Sequence, residues 1–374
     1  MKTRPAAVGE RAVAAEPSSV DPTRLEAPRR IRRLGSRQVT EGVTAAVAAG
    51  CAARVVFVVM DWHGALAAFA CWYLAFLGFS YVLAAASDGR VVATDRLMAL
   101  AVATGAMLAL GALGWVVGFV ILRGLPALRP GFFTQDLSRA GPLNPGGGAL
   151  HAIIGTAEQV GLATLAAAPV AVLTAVYLNE VGGRLAAVIR FFVDALSGLP
   201  SIVAGLLVYT VWIVADRRGF SGAAGSAALV VLMLPTVTRT SEEILRTVPG
   251  DLREAGLALG APQWRNVQRV VLPAARTGLV TASILGIARV VGETAPMILT
   301  AFGASTVNAN PLRAPQADLP LFIWSLLRVP NSRQIDRAWT GALVLVLLVL
   351  ALFTVARVLS AGGHRRRPRP GARP

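Results

Sequence analysis

An all-α polytopic membrane protein of about eight spans is the fold class the sequence predicts, and three observations predict it. Of 374 residues, 55% are hydrophobic and 15% are charged. A soluble domain carries roughly 25% charged residues, so this apolar excess needs lipid to cover it. The apolar residues gather in runs close to the ~20 residues that cross a hydrocarbon core. Arginine gathers in alternate connecting segments, the pattern that orients a multi-span chain.

Residues 1–42 are rich in Arg, Pro, Ala and Glu, include Arg29, Arg30, Arg32, Arg33 and Arg37, and show no apolar period. They read as a disordered basic cytoplasmic tail, without the early apolar stretch and cleavage site of a signal peptide. Spans are predicted at about 43–60, 65–86, 97–122, 149–178, 191–214, 223–237, 277–302 and 339–359. The first contains Arg54, which must snorkel or pair, and the sixth is short. Gly114 and Gly118, with Gly105 and Gly111 nearby, suit close helix approach in lipid. The Pro200-Ser201 step in the fifth span, between Gly198 and Gly205, predicts a broken or tightly packed helix.

The formal net charge of +16, from 36 Lys+Arg against 20 Asp+Glu, is compatible with nucleic acid, an anionic membrane surface or anionic cargo. Placement decides between them. With eight spans, the first tail, the loop with Arg90 and Arg96, the segment 239–276 and the end at 365–373 all lie on one side. That side reads as the cytoplasm, with both termini inside; Arg217, Arg218 and the arginines after residue 302 are exceptions. No nucleic-acid partner is expected.

Other chemistries are excluded by what the chain lacks. Lys2 is the only lysine, so there is no phosphate-gripping Walker loop and no Schiff-base lysine, and any ATP is bound by another chain. Cys51 and Cys71 lie in apolar runs and read as small core residues without a disulfide. His63, His151 and His364 stand far apart without metal-ligand spacing. With no nucleophile set beside a base, no catalytic residue is expected.

The segment between the sixth and seventh spans is the most punctuated. Pro249 and Gly250 break the preceding element, Asp251 is an N-cap with Glu254 three residues on, Gly260 takes a left-handed C′ position, and Pro262 stops continuation. A helix of about two turns is therefore predicted. A second short helix is expected from about 263 to 270, stopping before Pro273. Trp264, Val267 and Val271 would supply its apolar contacts, and Arg265 and Arg269 would face headgroups or an acidic partner.

Glu254-Ala255-Gly256, then Gly260, Val270 and Leu272-Pro273, resemble the EAA loop of bacterial importer permeases of the ATP-binding-cassette type, which docks into a cleft on the ATPase subunit. The resemblance implies ATPase-coupling roles for Arg253, Glu254, Ala255, Gly256, Gly260 and Pro273. Gly256 stands where that family usually has Ala, which predicts a helix softer by up to about 1 kcal/mol, and Val270 replaces the usual Ile. Glu254 has two readings, a helix cap and a residue that shapes the coupling helix.

Five further pieces stand in order along the chain: Phe132-Phe133-Thr134, Tyr177-Leu178-Asn179-Glu180, Gly198-Leu199-Pro200-Ser201-Ile202-Val203-Ala204-Gly205, Leu234-Pro235 with Arg239-Thr240-Ser241-Glu242-Glu243, and Gly292-Glu293-Thr294-Ala295-Pro296. Through them the chain resembles, over roughly 97–359, the PstA-type phosphate permeases. The last piece differs from the Gly-Glu-Thr-Met typical of PstC-type partners. The resemblance implies a type I importer domain at 91–362 with a cytoplasmic coupling loop at 248–275. An additional transmembrane hairpin at 43–90 and a basic tail at 363–374 flank that domain. It also implies a PstC-type second permease, a PstB-type ATPase dimer that uses ATP and Mg, and an external PstS-type binding protein. This chain would sit in the bacterial inner membrane and bind no cofactor itself.

An anion crossing hydrocarbon needs compensating donors and positive charge. Arg239, Glu242 and Glu243 share a helix face at the inner end of the sixth span and read either as an interfacial anchor or as part of the path. Arg289 and Glu293, four residues apart in the seventh, read as path or gate, with Pro296 as a hinge and Pro200 as a second break. Asp194 and Glu158 are lesser candidates or packing contacts. A permease for another oxyanion or small solute, and a non-transporting scaffold or phosphate-sensing partner, remain as alternatives.

Overall fold

A computed structural model of the protein describes residues 36–61, 64–138, 140 and 146–364. Among the described residues the regular elements are helices, and the one β contact is an isolated bridge between Phe302 and Gln316. Among the described residues, seven helices are long and apolar enough to span a membrane, or eight if one sharply bent pair counts as a single span. The chain forms two compact units, 1–112 and 113–374.

The first unit holds α1 (Ser36–Val59), α2 (Ala65–Asp88) and the start of α3 (Arg90–Gly124). Residues 36–42 are thus helical rather than part of a disordered tail. The reason is a tie at the first turns of α1, where Glu41 pairs with Arg96 at 2.6 Å and Arg96 also reaches Asp88 at 2.6 Å. The rest of that tail and residues 365–374 lie outside the described residues. Ala45, Ala49 and Ala53 recur every four residues on one buried face of α1, and small side chains there allow close backbone approach. Trp72 Nε1 of α2 donates to Ala46 O at 3.2 Å across that contact. Cys51 and Arg54 lie on exposed positions of α1, so Cys51 is not a core residue; both cysteines are free thiols.

The second unit is built around α5 (Leu150–Val176) and α8 (Gly222–Arg246). Ala163, Ala167, Ala171 and Ala175 form a fully buried stripe on α5, and the core that the first three enter contains Leu229, Met233 and Val237 of α8. Four-residue spacing puts them on one helix face, and the absence of bulk brings the two backbones together. α11 (Leu272–Val290) joins this core with Gly286 against Val237. At the other end, α4 (Pro130–Thr134) buries Phe132 edge-on to Phe322 of α13 (Leu319–Leu327). α14 (Ser332–His364) is fastened to the end of α3 by Thr340 Oγ1, which donates to Gly124 O at 2.8 Å. A Cβ at Gly114 or Gly118 would meet nothing within 4 Å among the described residues.

Three spans differ from expectation. The sixth is not short: α8 runs 25 residues, because its polar end from Thr238 to Arg246 stays helical by pairing its charges sideways. The fifth is two helices, α6 (Arg184–Ser197) and α7 (Ser201–Val208), bent by 106°. Pro200 sits at the bend with extended ψ of 137° and starts α7 without needing an N–H. The seventh ends at Val290. Gly292–Thr294 form a break, and α12 (Ala295–Thr300) begins beyond it with Pro296 in its first turn.

Candidate functional site

Two short helices, α9 (Gly250–Ala258) and α10 (Gln263–Asn266), leave the end of α8. Pro249 occupies the N-cap of α9 with φ −57° and ψ 139°, and no side chain caps the helix. The expected Asp251–Glu254 capping box is therefore not formed: the fixed proline φ starts the helix two residues early, and Asp251 acts instead on the positive end of the dipole. Gly260 makes the turn at φ +78°, as its place in the sequence predicts.

α10 does not stop before Pro273. It passes through a wide π turn, Val267–Val271, into α11, with Leu272 N–H bonded to Val267 O. The widened turn delivers Pro273 to the first turn of the next helical stretch, where its missing N–H is no loss.

The loop is held by side chains that turn inward. Arg253 reaches the Glu180 carboxylate at 3.0 Å and donates to Val248 O at 2.8 Å and Leu245 O at 2.7 Å. It thereby satisfies two carbonyls at the end of α8, where a cation also suits the dipole. Asn266 Nδ2 donates to Arg253 O at 3.0 Å, tying α10 to α9. Gly256 is buried under that amide, and a Cβ there would collide with Asn266 Oδ1. The glycine is thus an interlock rather than only a softer residue. Glu254, Ala255, Leu252, Leu257, Leu259 and Trp264 point outward from the same two helices. Of the residues expected to couple, Glu254 and Ala255 are therefore on the presented face, while Arg253 and Gly256 build its support.

A second cluster joins α6 and α8. Glu242 is 2% exposed. Its carboxylate is 2.7 Å from Arg246, 3.0 Å from Arg190 and 3.5 Å from Arg239. Arg239 also pairs with Asp194, and Arg190 donates to Leu178 O at 3.0 Å. Glu242 is thus a buried hub and not a snorkelling anchor, because two helices supply it with donors. Glu243 is exposed and stays outside the cluster. Asp194 is a full member.

Arg289 and Glu293 do not share a helix face, since α11 ends between them. Arg289 instead donates to Thr236 Oγ1 of α8 at 3.1 Å. Pro200 and Pro296 belong to motifs that meet: Gly205 of α7 lies against Pro296, and a Cβ there would stand 2.6 Å from Pro296 Cα. Glu158 accepts from Gln316 Nε2 at 2.5 Å, and Gln316 also accepts from Gln159 at 3.0 Å, so Glu158 helps pin the loop before α13.

That loop ends in Asp318, which accepts from Leu321 N–H at 2.7 Å as the N-cap of α13. Burial pushes its carboxyl up to about 7.

Sequence reasoning quoted Glu180 within a motif but gave it no role, and it missed Arg190, Asn266 and Gln316. A charged or amide residue beside a span end was the available signal; the partners lie far off in sequence.

Fold and site together define a polytopic helical transport subunit, with a charged cluster between spans and a braced helix–turn–helix at one end. The family model described as "Binding-protein-dependent transport system inner membrane component" matches residues 167–366. The Phosphate transport system permease protein PstA 1 of Mycobacterium tuberculosis is 42% identical over 269 residues, 71% of this chain and 87% of that one. The Phosphate transport system permease protein PstA of Haemophilus influenzae is 39% identical over 246 residues, 65% of this chain and 86% of that one. The inward-facing MetNI methionine ABC transporter aligns in structure at TM-score 0.46 with 21% identity, over 57% of this chain and 93% of that one. The chain belongs to the binding-protein-dependent transport system inner membrane components, in their PstA-type branch. It is a multi-pass inner-membrane permease and not a catalytic subunit.

Proposed function

We propose that this chain forms the phosphate path of an ATP-driven importer and takes its driving motion from a separate ATPase through the loop at 248–275. The observation that carries the reading is the pair α9 and α10, whose inner residues are locked to the spans while Glu254 and Ala255 face outward. A rigid, projecting support of that kind suits a part that must receive force. Phosphate as cargo is supported by the relatives' names.

The working unit on this reading has a PstC-type second permease, a PstB-type ATPase dimer that uses ATP and Mg, and an external PstS-type binding protein. Both termini are cytoplasmic, on the side of the coupling loop. The chain performs no covalent chemistry and binds no cofactor. It exists in two helix arrangements that ATP and cargo both bias. The break at Pro200 and the one before Pro296 lie in two packed motifs, and that contact is where α7 and α12 would shift together. Arg239, Glu242 and Arg289 line or lock the path, and the outward Glu243 and the half-buried Glu293 flank it.

Phosphate uptake in proteoliposomes holding the full complex tests this, with native chain compared with Glu254→Lys. Uptake should require ATP and be lost in the variant while the membrane subunits and ATPase still purify together. Undiminished uptake by Glu254→Lys would refute coupling through this loop, and ATP hydrolysis without phosphate entry would refute the cargo.

A further inference from the structure

Glu180 hydrogen-bonds to both arms of the projecting loop. Its carboxylate takes Arg253 Nη2 at 3.0 Å and Nε at 3.2 Å from α9. Its backbone carbonyl takes Gln263 Nε2 from α10, on the far side of the Gly260 turn. Asn179 Nδ2 donates to the same carboxylate at 2.9 Å.

The placement is unfavourable unless it is compensated. Glu180 sits at the C-terminal end of the helix that begins as α5, where the dipole repels negative charge. Its side chain is 9% exposed, so water does little to screen it, and the paired guanidinium is what makes the position tenable. Removing the partner would leave a charge that the site cannot hold.

The same spot is a change of helix type. Glu180 lies in a π turn, Tyr177–Val181, that continues α5, and the other strut of the loop carries its own π turn at Val267–Val271. Such turns have one more residue than the α-helix needs and are frequent at functional sites.

We propose that Glu180 is a positioning residue for energy coupling: through Arg253 and Gln263 it fixes the two loop helices to the end of α5, so that displacement of the loop moves α5 and with it α8. The inference rests on the proposed function, and deepens it by naming the joint. Because α5 and α8 share the central core, and α8 carries Glu242 and Arg239, motion entering at Glu180 reaches the charged cluster directly.

The test uses the full reconstituted complex with the native chain, Glu180→Gln, Arg253→Gln and the double variant. ATP hydrolysis and phosphate uptake are read together, and melting temperature and ATPase co-purification are read alongside them. Each single variant should lower phosphate moved per ATP by about fivefold or more, the scale of an ordinary coupling energy. The double variant should be no worse than the worse single, because both act through one contact. A second readout does not depend on cargo. Hydrogen exchange should change at both α9 and residues 177–181 when ATP is trapped in the native complex, and only at α9 in Glu180→Gln. Native stoichiometry in Glu180→Gln, or losses that multiply in the double variant, would overturn the proposal. If the native complex moves no phosphate, the cargo reading fails, and the exchange experiment alone decides for or against the clamp.

Discussion

Replacing Gly256 by alanine separates helix propensity from packing, because the two predict opposite signs. Alanine is the residue usual at this place in EAA loops, and in an isolated helix it gains up to about 1 kcal/mol over glycine. In this structure the new Cβ would enter the space of Asn266 Oδ1. Asn266 is 5% exposed, so it has little room to turn away. Displacing it breaks the 3.0 Å bond from its Nδ2 to Arg253 O, worth about 1 kcal/mol, and crowding adds roughly 1–3 kcal/mol. The balance is a loop destabilised by about 1–3 kcal/mol, which speeds local opening by roughly 5–150-fold.

Hydrogen exchange across α9 in the detergent-solubilised complex measures that opening. Gly256→Ala should exchange faster than native, and Asn266→Ala should also be faster through loss of the tie. Adding Gly256→Ala to Asn266→Ala should slow exchange again, since the obstacle is gone and the propensity gain is left. Slower exchange in Gly256→Ala alone would refute the steric reasoning.

Two further perturbations follow from buried acids. Glu242→Gln leaves Arg239 with Asp194 and removes the carboxylate that Arg190 and Arg246 contact; because the arginine side chains are 38–58% exposed, the loss should be about 2 kcal/mol rather than the 3–5 kcal/mol of a fully buried pair. A fall in melting temperature for Glu242→Gln but not for the exposed Glu243→Gln is the expected result. Asp318 should confer a pH dependence: its carboxyl is raised from 3.8 to about 7, so the folded state holds the proton more tightly than the unfolded state does. The stabilisation is fully present below about pH 4 and is lost as pH rises through about 7. Asp318→Asn keeps a cap for Leu321 N–H and should flatten the melting temperature between pH 5 and pH 8.

Spans were legible in the sequence because lipid demands apolar runs of fixed length, and breaks were legible where proline or glycine announced them, as at Pro200 and Gly260. The end of the seventh span was not legible, since Gly292-Glu293-Thr294 interrupts a run whose apolar pattern resumes at once. Nor were the π turns, because shifting a hydrogen bond by one residue leaves the apolar pattern almost unchanged. At the loop, the punctuation located the helices but misjudged their caps: Pro249 sets the start by its fixed φ, which overrides the capping chemistry of Asp251. The clamp between Glu180 and Arg253 joins residues 73 apart. Each stood in a recognised segment, yet only the packing of α5 beside α8 brings the segments together.

The charges in the spans can be sorted by how far their neighbours already satisfy them. In the cluster between α6 and α8, three guanidinium groups meet two carboxylates, and Glu242 takes contacts from all three arginines. A carboxylate so surrounded is a lock on the relative position of two helices, and an anion arriving there would compete with it for donors. Arg289 differs. It is exposed, its hydrogen bond goes to a neutral threonine hydroxyl, and the Glu293 carboxylate four residues on lies beyond the helix end. Thr236, Arg239, Thr240 and Glu243 continue a polar line from that hydroxyl along α8 towards the locked cluster, at the three- and four-residue steps that share a helix face. On the proposed function, Arg289, bonded to a hydroxyl rather than a carboxylate, draws phosphate into the span and Glu242 holds the far end of the line shut. Passage then requires Arg239 to exchange a protein carboxylate for the moving anion, and the helix displacement set by the coupling loop is what makes that exchange favourable in one state and not in the other.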